Sequence, residues 1–186
     1  MTVIPNGIDL NVFKPDLAAR QRVRDEWGIA KNEMLIGLVA RLDPMKDHPT
    51  FLHAAAMLAQ ERGDVRFICV GEGSEPYKSN LFSLASKLKL DDRLKWIGPR
   101  FDMPAVCNAF DIACSSSSGE GFSNTIIEAM ACGVPCVVTD VGDSAVIVGE
   151  TGVVVPPSSP EPLRDAFGLL LNQISPEVSI ASRTSI

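Results

Sequence analysis

Gly119-Glu120-Gly121-Phe122-Ser123-Asn124-Thr125-Ile126-Ile127-Glu128-Ala129-Met130-Ala131-Cys132 begins as a glycine-bracketed turn and ends as a helix. Its turn carries one carboxylate, Glu120, and its helix another, Glu128, inside a run that is otherwise apolar. A helix starting near Ser123 leaves free backbone N–H groups in its first turn, and with the helix dipole these make a phosphate site. Glycine on both sides of Glu120 lets a ligand approach the backbone closely. Glu128 falls about 7.5 Å further along the axis, on much the same face as Asn124 and Thr125. Carboxylates accept well from vicinal hydroxyls, so one on each side of an anion site suits a diphosphate with a sugar at each end. The alternative is a solvated loop charge at Glu120 and a helix-rim residue at Glu128.

Outward from this stretch, strands and helices alternate, which argues for an α/β fold: a Rossmann-like parallel sheet of about six strands with helices on both faces. Upstream, Asp16 to Trp27 reads as a helix capped by Asp16 and stopped at Gly28. Met34 to Ala40 is a continuous apolar run, the pattern of a strand buried on both faces. Pro49 suits the first turn of a helix reaching Arg62, and Val65 to Val70 is the next strand. A helix from Pro76 to Leu88, a strand from Leu94 to Ile97, a helix from Met103 to Ala109 and a strand from Ile112 to Ser115 lead to the central stretch. Downstream come strands at Cys136 to Thr139 and Gly152 to Val155, a short turn or helix at Ser144 to Val148, and a helix from Pro160 to Leu171. Thr2 to Ile4 reads as a short strand entering an Asn-Gly turn, and the polar tail from Ser175 to Ile186 as frayed.

The chain's 186 residues are enough for one domain and too few for two of Rossmann size. With 17 basic and 23 acidic residues the net charge is −6, so no broad basic field holds a nucleic acid or an anionic membrane. Any phosphate site is local. Cys69, Cys107, Cys114, Cys132 and Cys136 are odd in number, sit mostly in apolar runs and lack C-x-x-C spacing, which reads as small core residues in a reducing compartment. No apolar run reaches the length of a membrane span, and the N-terminus has no signal pattern, so the expectation is a cytoplasmic protein.

In a doubly wound sheet, ligands bind beyond the carboxyl ends of the strands, which singles out the loops Arg41 to His48, Gly71 to Glu75, Gly98 to Asp102 and Ser115 to Phe122. The first holds Arg41 and Lys46, a forked donor and a mobile point charge able to neutralise a diphosphate; the alternative is two solvated cations. Gly71-Glu72-Gly73 lacks the last glycine of a dinucleotide fingerprint and reads as a tight turn. No Gly-Lys-Ser/Thr loop is present. His48 and His53 read as surface or cap residues, Asp143 and Ser144 as helix caps, and Ser115 to Ser118 lacks the nucleophile elbow of a hydrolase.

Glu120-x7-Glu128, with Glu-Gly-Phe after the serine run and Glu-Ala-Met-Ala-Cys-Gly-Val-Pro following, resembles the signature of the family 4 (group 1) retaining glycosyltransferases of GT-B fold. Arg41-Leu42-Asp43-Pro44-Met45-Lys46 matches that family's Arg-x4-Lys element, with Ala40 where glycine is common. Pro5-Asn6-Gly7-Ile8-Asp9 resembles its crossing into the second domain. The likeness runs from about Val3 to Leu171.

It implies the C-terminal, donor-binding half of a GT-B fold: residues 1–15 an inter-domain crossover, 16–174 the nucleotide-sugar domain and 175–186 a tail. It further implies that Arg41 and Lys46 meet the donor diphosphate, Glu128 the ribose, and Glu120 the transferred sugar. The amides of Phe122, Ser123, Asn124 and Thr125 would meet the distal phosphate, with Gly121 beside them among the substrate-binding residues, and Gly98-Pro99-Arg100 would border the base. The expected donor is a nucleoside diphosphate sugar, most often a UDP-sugar, with no cofactor and no metal, in keeping with the lack of an Asp-x-Asp cluster. The expected partner is an N-terminal acceptor-binding domain, which would also set any contact with the inner membrane face; without it the chain is expected to be inactive. Two rival functions remain at this point: a sugar-nucleotide epimerase of the same fold, and a non-catalytic nucleotide-sugar binding module.

Overall fold

Residues 6–174 are described in the computed structural model of the protein. The expected strand at Thr2 to Ile4, with the first part of the crossover, and the tail from Ser175 to Ile186 lie outside the described residues. Six strands form one sheet: β1 (Met34–Val39), β2 (Val65–Val70), β3 (Leu94–Ile97), β4 (Ile112–Ser115), β5 (Cys136–Thr139) and β6 (Val153–Val155). Their order is β3-β2-β1-β4-β5-β6, with every neighbouring pair parallel. The chain therefore builds outward from β1 on one side, then returns to β4 and builds outward on the other. That reversal leaves a crevice between the carboxyl ends of β1 and β4.

Parallel neighbours need long crossovers, and five helices supply them among the described residues: α2 (His48–Glu61), α3 (Glu75–Lys87), α4 (Met103–Ala109), α5 (Asn124–Ala131) and α6 (Ser144–Val148), while α1 (Leu17–Glu26) precedes β1 and α7 (Pro160–Gln173) follows β6. Met34, Ile36 and Leu38 of β1 face one core, shared with α2, α3 and α7. Leu35 faces a second, shared with α1, α4, α5 and α6. Two covered faces are why β1 reads as an unbroken apolar run. All five cysteines are buried, as their surroundings in the sequence suggest. No helix among the described residues is long and apolar enough to cross a membrane.

Local signals set the helix ends. The Asp16 carboxylate accepts from the Ala19 amide at 2.9 Å and caps α1. Asp47 caps α2, accepting from the Thr50 amide at 3.2 Å and the Thr50 hydroxyl at 2.8 Å. Asp47 does so in the left-handed region, φ 45°; an aspartate tolerates that conformation better than most residues.

His48 departs from the sequence expectation. It is fully buried, not at the surface, and neither ring nitrogen has a hydrogen-bond partner among the described residues. Burial pushes its pKa down to about 4, so the ring is neutral at physiological pH. The physical reason is helical phase: His48 shares its face of α2 with Phe51, Leu52 and Ala55, which belong to the core.

A buried ion cluster locks the other face. Asp111, wholly buried at the start of β4, takes Arg20 at 2.5 Å and Arg24 at 2.9 Å on its two oxygens. It also accepts from the Leu35 amide at 2.7 Å. Burial acts to raise its pKa, but the two guanidiniums outweigh that and hold it below the usual carboxylate range. α1 is thereby tied to β4 and β1.

Candidate functional site

The loop after β1 and the loop after β4 meet at the crevice. After β1 the chain makes a single 3-10 turn, Pro44–Lys46, which the Asp43 carboxylate caps by accepting from the Met45 amide at 2.9 Å. This turn delivers Lys46. After β4 the serine run crosses beneath it: the Ser116 hydroxyl donates to the carbonyls of Lys46 at 3.0 Å and Asp47 at 3.1 Å. The Ser118 amide donates to the Met45 carbonyl at 2.9 Å. These bonds weld two loops that are far apart in sequence into one surface.

On that surface the Lys46 ammonium donates to Glu120 Oε2 at 2.6 Å across a separation of 74 residues. The Ser117 hydroxyl donates to the same oxygen at 3.0 Å. The pair is shielded, with side-chain exposures of 18% for Lys46 and 13% for Glu120. Lys46, Ser117, Glu120, Ser123 and Thr125 line one small cleft.

α5 starts at the same cleft. Ser123 precedes it in an extended conformation, and no side chain caps its first turn, so the amides of Asn124 and Thr125 present donors toward incoming anions. Ser123 and Thr125 hold their hydroxyls 3.3 Å apart, while Asn124 accepts from the Asn6 amide group at 3.2 Å.

Glu128 stands one turn further along α5, half-buried. Burial raises its pKa above the usual glutamate range. Its carboxylate has no hydrogen-bond or ion-pair partner among the described residues, so nothing in the fold itself accounts for a charge there. Arg41 is exposed at the end of β1. Gly121 is exposed and Phe122 half-buried in the turn before α5.

Arg100 lies in the loop after β3. Its guanidinium is bound to Glu26 and to Asp102, the latter at 2.8 and 2.9 Å, and it lies over the Trp27 ring at 5.9 Å from the centroid. Those bonds hold its pKa above the usual arginine value.

Two glycines shape the site by close approach. Gly71 has φ 143°, and a Cβ there would sit 2.0 Å from the Ala40 carbonyl oxygen. The Gly71-Glu72-Gly73 turn thus presses against the chain leaving β1, as its reading as a tight turn anticipates. Gly142, in the loop after β5, has φ 53°, and a Cβ there would lie 2.2 Å from the Glu120 carbonyl oxygen. Next to it the Asp143 amide donates to the Gly121 carbonyl at 3.0 Å. Gly142 escapes a reading of the sequence, and Ser116 and Ser117 enter it only as members of the candidate loop Ser115 to Phe122, with no role assigned. The only available signal was the serine run itself, which advertises hydroxyls but not their acceptors.

Residues 33–173 match the family described as glycosyl transferases group 1. The chain belongs to that family. It is 36% identical over 179 residues, 91% of its length, to the D-inositol 3-phosphate glycosyltransferase of Mycobacteroides abscessus. Among solved structures it resembles Anabaena Alr3699/HepE in complex with UDP-glucose, at 27% identity and a TM-score of 0.87. It also resembles the C-terminal domain of the group 1 family protein LpcC from Francisella tularensis, at 26% identity and a TM-score of 0.82. The chain spans 38% of the first protein and 51% of the second. Of the LpcC domain it spans 94%, with 95% of its own length covered. The fold is that of the C-terminal half of GT-B glycosyltransferases.

Proposed function

We propose that this domain binds the nucleoside diphosphate sugar donor of a retaining glycosyltransferase, at the crevice between β1 and β4. The observation that carries this reading is the convergence there of Lys46, Glu120 and the open N-terminus of α5. Arg41 and Lys46 take the diphosphate, the amides from Phe122 to Thr125 the distal phosphate, Glu128 the ribose hydroxyls, and Glu120 the transferred sugar. Arg100, its guanidinium held by Glu26 and Asp102 in the loop after β3, borders the base. The UDP-glucose held by the Anabaena neighbour supports a UDP-sugar as the donor. A domain outside these 186 residues supplies the acceptor wall.

In this arrangement the reaction is helped by stabilising negative charge as it develops on the departing diphosphate. Cations and helix-terminal amides aimed at that charge beforehand do this without reorganising. The residues named suffice for that task, and no metal enters the proposal.

A thermal-shift panel of UDP, GDP and ADP identifies the base, and calorimetry on variants then tests the contacts. Lys46→Ala and Arg41→Ala should each weaken binding of the preferred nucleoside diphosphate by about 10- to 150-fold, the range of a charge-assisted hydrogen bond. Unchanged affinity in both variants would remove the diphosphate assignment.

Glu128→Gln is expected to move binding and stability in opposite directions. A glutamate whose folded-state pKa is raised contributes stability that is complete below its unfolded pKa and lost as pH rises through the folded value. At pH 7 the lone half-buried carboxylate therefore destabilises the fold. The amide should raise the melting temperature at pH 7, with the gain vanishing below pH ~4, while weakening affinity for the nucleoside diphosphate. A variant that is less stable and binds normally would show that Glu128 serves the fold alone.

A further inference from the structure

Glu120 is held by two donors of different character. Lys46 reaches it on a long side chain from another loop. Ser117 reaches it from three residues away on the same loop. Both bonds fall on Oε2, the stronger being the ion pair at 2.6 Å and the weaker the hydroxyl at 3.0 Å.

Ser117 itself is fixed. It is 2% exposed, and its carbonyl accepts from the fully buried Thr139 hydroxyl at 2.6 Å. A serine has one side-chain torsion, so a pinned backbone leaves its hydroxyl few places to go. A lysine with four torsions follows whatever negative charge is nearest.

We propose that Ser117 is a positioning residue for Glu120, and that the Lys46–Glu120 ion pair is the resting state of the donor site. The proposal rests on the donor reading above and adds a sequence of events to it. A diphosphate carries more negative charge than one carboxylate and so draws the ammonium of Lys46 to itself. Glu120 then loses its stronger partner at the moment its orientation matters. The Ser117 hydroxyl, which no phosphate need displace, keeps Oε2 in place and leaves Oε1 for a sugar hydroxyl. Gly142 supports the same geometry from the far side, because only a residue without Cβ lets the loop after β5 lie against the Glu120 carbonyl.

The consequence is selective. Ser117 should matter for a ligand that carries the sugar and hardly at all for one that ends at the diphosphate. The test is calorimetry on the chain with UDP and UDP-glucose, or with whichever matched pair of nucleoside diphosphate and nucleotide sugar wild type binds best. Variants are Ser117→Ala and Ser117→Cys, the second keeping the volume while giving only a weak donor. Melting temperatures confirm that both fold.

We expect the nucleoside diphosphate affinity to stay within about twofold of wild type, and the nucleotide sugar affinity to fall about tenfold, the range of a hydrogen bond to a charged group. In a Glu120→Ala background, Ser117→Ala should cost nothing more, because the two residues act as one unit. Equal losses for both ligands, or additive losses in the double variant, would overturn the positioning role while leaving the donor reading intact. Wild-type protein that binds no nucleoside diphosphate at all would remove the donor reading, and this proposal with it.

Discussion

Supplied with the nucleotide sugar it binds and a defined acceptor, the 186-residue chain is expected to bind its donor and to transfer nothing above background. Holding two reactants together in a reactive geometry supplies roughly 7–11 kcal/mol, a factor of about 10⁵ to 10⁸ in rate. In the proposed reading the cleft between β1 and β4 gathers the groups for a donor. In the proposed reading the acceptor lies on another domain, in keeping with a chain that spans 51% of the Anabaena neighbour. Arg41 and Gly121 are exposed, so on the proposed reading water reaches the groups that would meet the diphosphate and weakens the electrostatics acting there. Product analysis with a labelled nucleotide sugar measures this directly. Robust turnover by the chain alone would show that the site is complete without a second domain.

The largest single effect on stability is expected at Asp111. Asp111→Ala leaves the buried guanidiniums of Arg20 and Arg24 without their carboxylate. Removing one partner from a buried ion cluster typically costs about 3–5 kcal/mol, a large part of the roughly 5–15 kcal/mol that stabilises an ordinary domain. Both arginines keep bonds to backbone carbonyls, Arg20 through Nη1 to those of Asn108, Ala109 and Phe110 and Arg24 to that of Ala109, but Nη2 of Arg20 loses Asp111, and the charges are left uncompensated. Replacing all three residues together by leucine or methionine should recover part of the loss, since no unpaired charge then remains although the Leu35 amide and the carbonyls of Asn108, Ala109 and Phe110 lose these partners. Urea unfolding gives the measurement. A loss under about 1 kcal/mol in Asp111→Ala would mean that water reaches the arginines and the cluster is not the lock described.

The glutamates of the central stretch, the two loop cations and the alternation of strands and helices were all legible in the sequence, because each is a local pattern. A strand covered on both faces must be apolar throughout, so Met34 to Val39 announces itself. A helix needs a cap, so Asp16 does likewise. Resemblance extended this to the family, since its motifs are short and contiguous.

What meets what was decided elsewhere. Lys46 and Glu120 are 74 residues apart, and they touch because β4 lies beside β1, an order set by how the crossover helices pack on the sheet. Neither residue's neighbours in sequence encode that order. The same holds for Ser117, whose value depends on Thr139 one strand over, and for Gly142, which must be glycine only because the Glu120 turn lies against it. His48 and Arg100 make the point from the other direction. A histidine beside a proline looks like a cap until the phase of α2 turns it inward, and an arginine in a candidate loop looks free until Glu26 and Asp102 hold it. The sequence by itself determined the elements, the chemistry on offer and the family. Tertiary structure alone decided which charges face one another, because side-chain partners depend on strand order and helix phase, which are properties of the packed whole.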